Sequence, residues 1–104
     1  MLEIRPNCEL CDRDLPPASS DARICSYECT YCEACVDGVL RNVCPTCGGG
    51  FAPRPIRPKA ALREGKNLGL GFHPASQTRV HTPFTDDDIR AHIDRIKDIP
   101  PDQR

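Results

Sequence analysis

The chain has 104 residues, a mass of 11.5 kDa and a formal net charge of −1 at pH 7, which leaves room for one small domain with tails. Leu, Ile, Val and Phe together number only 21, Trp is absent, and 11 Pro and 7 Gly interrupt regular structure, so a fold held by apolar burial alone is excluded. The 8 Cys are the remaining means of support, through metal ions or disulfides.

The opening Met1-Leu2-Glu3-Ile4-Arg5-Pro6-Asn7 lacks a basic stretch followed by an apolar one, so no secretory leader is expected. No apolar run approaches the length of a membrane span, and no membrane partner is expected. A reducing, cytoplasmic location follows, where thiols at Cys-x-x-Cys spacing serve as metal ligands more often than as disulfides.

All the Cys lie between Cys8 and Cys47, which makes residues 1–50 the structured module. The order Cys8-x2-Cys11-x13-Cys25-x3-Cys29-x2-Cys32-x2-Cys35-x8-Cys44-x2-Cys47 resolves into four dyads. A tight dyad turns two sulfurs toward one ion, and two dyads complete a tetrahedron, so two zinc ions are expected. Closed four-thiolate sites leave no position for water or substrate, which makes them structural. Spacing alone leaves the pairing open: sequential dyads give tandem zinc ribbons, alternating dyads an interleaved arrangement. The run Cys29-x2-Cys32-x2-Cys35 also opens like a bacterial ferredoxin motif, but the next gap is eight residues where that cluster needs three. The module carries 8 acidic and 4 basic side chains, and each four-thiolate zinc adds a formal −2, so phosphate backbones are poor partners for it.

Residues 51–84 form a basic connector. Gly48-Gly49-Gly50 and Pro53-Arg54-Pro55-Ile56-Arg57-Pro58 favour extended geometry, and Ala60-Ala61-Leu62-Arg63-Glu64 is expected to form at most one helical turn. Residues 85–104 carry a helix over about 85–99. Thr85 is its cap, Asp88 a capping-box partner, and Asp86, Asp87 and Asp88 stand at the positive end of the dipole. Ile89, Ile93 and Ile96 make its apolar stripe, Arg90 and Asp94 can pair, and Pro100-Pro101 ends it. So short a helix is expected to dock on its own zinc module or on a sister chain, giving a possible homo-oligomer. His73, His81 and His92 lack ligand-like company, and His92 is expected to pair with Asp88 on the helix surface.

The dyad order resembles the RING finger over about residues 8–47. Leu10 stands before the second ligand, Cys29-Thr30-Tyr31-Cys32 lies where that family reads His-x-aromatic-Cys, and Pro45 follows the seventh ligand. Cys29 in place of His is similar to the all-cysteine variants. The resemblance implies a small metal-stabilised domain, a two-zinc cross-brace with little regular secondary structure, in which Cys8, Cys11, Cys32 and Cys35 hold one zinc and Cys25, Cys29, Cys44 and Cys47 the other. It also implies a partner face at Leu10, Val39 or Leu40, and Pro45. Loop 36–43 has no Trp, however, and Gly48 stands where active ligases place a cation. Up to about residue 83 the chain also resembles a bacterial family of short eight-cysteine proteins of unknown function, through Arg5-Pro6-Asn7-Cys8, Tyr31-Cys32-Glu33-Ala34-Cys35, Cys44-Pro45-Thr46-Cys47-Gly48-Gly49 and His73-Pro74-Ala75-Ser76; the helix at 85–99 extends beyond it.

No catalytic constellation is visible, so the expected role is that of a non-enzymatic zinc protein presenting a protein-interaction surface. A ubiquitin-conjugation adapter is the ligase-like version of that role. The alternative is nucleic-acid binding through Arg54, Arg57, Lys59, Arg63, Lys66 and Arg79, although no aromatics are interleaved for stacking.

Overall fold

The computed structural model describes residues 1–104. Regular structure is sparse. β1 (Ala22–Ile24) and β2 (Thr30–Cys32) form an antiparallel hairpin with Ala22 opposite Cys32, and β3 (Ala52–Pro53) pairs antiparallel with the other edge of β1. Directly after β2, α1 (Glu33–Cys35) runs into a π-helical turn, Val36–Leu40, and stops at Arg41 and Asn42, both in left-handed backbone. α2 (Asp86–Ile96) is followed by a 3-10 turn, Pro101–Gln103. No helix is long and apolar enough to cross a membrane.

The core is one cluster in which six of the Cys alternate with Leu15, Ala22, Tyr31, Val36, Leu40 and Val43. Tyr31 is wholly buried and meets Phe51 edge-on at 5.5 Å between ring centres, a favourable aromatic geometry. Ile89 and Ile93 of α2 complete this cluster, with Ile96 half-buried beside it. The stripe therefore docks on its own module, as a helix of three turns requires. Thr85 caps α2 by accepting from the Asp88 amide at 3.2 Å. The surface ion pairs are Arg90 with Asp87 and Lys97 with Asp94, so Arg90 does not pair with Asp94 as expected; in both pairs the partners are three apart, which also faces them together.

Residues 51–84, read from the sequence as a connector, are threaded back over the module. They supply β3, and then the Ser76 amide donates to Ile4 O, Val80 to Asn7 Oδ1 and Thr82 to Glu9 O. The helical turn expected at 60–64 is not formed, because these residues are all exposed and have no surface on which to bury a face. The basic residues of this segment are largely occupied. Arg54 is only 4% exposed and its guanidinium donates to the carbonyls of Arg5, Leu15 and Pro16. Arg57 donates to Leu2 O and His73 O, while Arg79 is ion-paired with Asp12 and Asp14. Lys59, Arg63 and Lys66 alone of the six have no such partner.

Candidate metal centres

Each dyad is shaped by the backbone between its cysteines. In the first, the Asp12 amide donates to Cys8 O at 3.0 Å with Asp12 at φ 67°; in the last, the Gly48 amide donates to Cys44 O at 2.9 Å with Gly48 at φ 78°. The two turns are alike, each closed by a left-handed residue just after the second Cys. Cys25 and Cys29 bracket the β1–β2 turn, where the Glu28 amide donates to Cys25 O and Glu28 takes φ 71°. Cys32 ends β2 and Cys35 ends α1. Short elements thus place thiols, and the fold brings the dyads together.

The thiols of Cys8, Cys11, Cys32 and Cys35 lie within 4.8 Å of one another, and so do those of Cys25, Cys44 and Cys47. Cys29 stands outside that second radius but is close enough to Cys25 and Cys44 to shift with their thiols. The pairing is therefore interleaved. Cys8 and Cys11 meet the third dyad and not the second, which rules out tandem ribbons. Cys29 is separated from Cys32 and Cys35, which removes the ferredoxin-like reading. All eight thiols are free. No His belongs to either cluster.

The donor sets fit metal ions. Cys11 Sγ and Cys32 Sγ are 3.7 Å apart, close to the edge of a thiolate tetrahedron, about 3.8 Å for metal–sulfur bonds of about 2.3 Å. Amides point at the sulfurs: Tyr27 N–H donates to Cys25 Sγ at 3.3 Å and Gly49 N–H to Cys47 Sγ at 3.4 Å. Burial pushes the Cys8, Cys29, Cys35 and Cys44 thiols up. Burial also opposes ionisation of Cys11 and Cys25, yet the amide of Arg13 for one and those of Tyr27 and Cys29 for the other, with neighbouring thiols, hold them below the ordinary thiol value. Each cluster thus contains thiols poised to ionise beside thiols that resist. A cation between them removes the mutual repulsion and lets all ionise.

The residues singled out as a partner face separate in the fold. Leu40, ahead of the last dyad, is fully buried in the core, and Pro45, between its two cysteines, is buried beside Cys44, so neither side chain lies on the surface. Leu10 is half-buried and Val39 is 53% exposed. Both line a groove of about 580 Å³ whose other walls include Cys11, Cys35, Ile89 and Ile93. His92 does not pair with Asp88: its Nε2 meets Cys44 O at 2.9 Å. Sequence reasoning missed this contact and the buried Arg54, since neither partner lies nearby in the chain.

No solved structure matches this chain. An uncharacterised protein of Rhizobium meliloti (strain 1021) is 49% identical over 83 residues, covering 80% of this chain and 89% of that protein. The model of a family described as proteins of unknown function, DUF1272, matches residues 1–57, the span that holds every cysteine and β3. With more than half its length matched and a relative this close, the chain belongs to the DUF1272 family.

Proposed function

We propose that this protein is a non-enzymatic zinc protein whose two four-thiolate centres fix a small adapter for a protein partner. The observation that carries the reading is the first cluster, four free thiols within 4.8 Å drawn from two separate dyads. Soft thiolates in a tetrahedral set suit zinc. Closed sites of this kind supply folding energy and no chemistry, and the chain's few apolar residues make that contribution necessary. Cys25, Cys29, Cys44 and Cys47 form the second donor set in this reading. Elemental analysis of freshly purified protein should return two zinc ions per chain; iron, or no metal, would sink the proposal.

The adapter half of the reading is supported by the groove at Leu10 and Val39, where an apolar floor is rimmed by Arg41, Asp86 and Arg90, the composition of a small contact patch. Burial of Leu40 and Pro45 argues against the ligase-like version, since two of its contact residues are out of reach. A Val39→Asp variant that keeps both metal ions should lose cross-linked partners that a Lys66→Glu variant retains. An unchanged set of partners would refute the contact face while leaving the zinc reading intact.

A further inference from the structure

α2 and the residues after it treat the two centres differently. Toward the second centre they close down on the Cys44–Cys47 turn from both sides. His92 Nε2 donates to Cys44 O at 2.9 Å, and Arg104 Nη1 donates to Gly48 O at 3.1 Å and to Asn42 O at 2.7 Å. Ile96 Cδ1 lies 3.3 Å from where a Cβ on Gly48 would stand, and Pro101 Cγ 3.5 Å from that of Gly50. Glycine at 48 thus serves two needs at once, a left-handed turn at φ 78° and a close approach by the helix. Toward the first centre the segment makes no such hydrogen bond; α2 only shares a groove with Cys11 and Cys35 there. All of these contacts come from beyond residue 57, where the family match ends.

We propose that residues 85–104 act as a strap that retains the metal ion of the second centre, with His92 and Arg104 as its positioning residues. The inference rests on reading the two clusters as metal centres. An ion leaves a thiolate site as its ligands detach one after another, and Cys44 or Cys47 can swing away only if the turn between them gives. Donors fixed on the carbonyls at its start and end, Cys44 and Gly48, resist that movement. Outer contacts that orient ligands in this way act on metal affinity without touching the ion.

The test uses the full chain loaded with zinc, its metal content counted by native mass spectrometry before challenge with an excess of a chromophoric chelator. Zinc release is followed by colour, and cysteine Cβ chemical shifts assign it to one cluster or the other. In a His92→Ala, Arg104→Ala double variant, release from the Cys25, Cys29, Cys44 and Cys47 centre should accelerate at least about tenfold, while release from the first centre keeps its rate. His92→Gln, which preserves a donor at that position, should restore most of the retention; the single His92→Ala variant repeats the test should the double one fold poorly. Equal acceleration at both centres, which general loosening would give, overturns the strap, and so does no acceleration. A wild-type chain carrying no metal overturns the zinc reading itself, an outcome separate from two ions released in a strap-independent way.

Discussion

Arg54 shows how much one buried side chain can hold. Its guanidinium ties the chain just after β3 to the carbonyls of Arg5, Leu15 and Pro16, and burial lowers its pKa without any carboxylate to compensate. The rigid guanidinium serves these carbonyls from two separate nitrogens, which the single nitrogen of an ammonium cannot reproduce. Arg54→Ala should destabilise the metal-loaded protein by about 3 kcal/mol in urea, since it leaves buried carbonyls without donors, and Arg54→Lys should recover only part of that. Tyr31 makes a second prediction at this scale. Burial pushes its phenol well above the ordinary value, and the nearby Glu9 carboxylate pushes in the same direction. A raised folded-state pKa means that the stabilisation is complete below the unfolded tyrosine pKa and is lost as pH rises beyond it. Alkaline titration followed by ultraviolet absorption should therefore show Tyr31 ionising together with unfolding; a reversible phenolate in the folded protein would contradict this burial.

Among the elements, α2 is the one whose local signals and tertiary role agree. A threonine cap, three carboxylates in the first turn and an isoleucine stripe specify it in the sequence, and the fold uses that stripe to finish the core. Ile93→Ala should cost about 3 kcal/mol because it empties a buried site, Thr85→Ala about 1 kcal/mol through the lost cap, and Ile99→Ala, at a position 39% exposed, within about 0.5 kcal/mol. Equal losses at Ile93 and Ile99 in urea melts would contradict the burial of Ile93 in the core. The β strands, two or three residues each, carry too little pattern to be read in advance. They exist because the thiol-bearing turns on either side bring them together.

For the whole molecule, the proposed reading of the two clusters as structural metal centres makes metal binding and folding one equilibrium. Thiols bound to an ion are ionised, so protons compete with the metal, and the stability of the loaded form is present at neutral pH and lost as pH falls. In the metal-free chain burial raises the Cys35 and Cys44 thiols, so metal affinity should increase as pH is raised through the thiol range. Acidifying a cadmium-loaded sample should abolish the thiolate charge-transfer band and the dispersed amide signals of residues 8–47 in one transition. A chain that stays folded after the band is gone would show that burial alone suffices.

Cysteine spacing carried the two donor sets, because a dyad is a local turn whose geometry four or five residues define. Spacing left the pairing open; the RING resemblance implied the interleaved one, and the fold brings the first dyad to the third. The helix was equally legible, since its cap and periodicity lie within one stretch of chain. Burial of Leu40 and Pro45, the carbonyl partners of Arg54, the threading of residues 51–84 and the seat of His92 against Cys44 were not. Each joins residues from 28 to 73 positions apart or depends on which side of a turn faces inward. Such contacts follow from the three-dimensional closure of the chain around its two centres, and no window of sequence contains both partners.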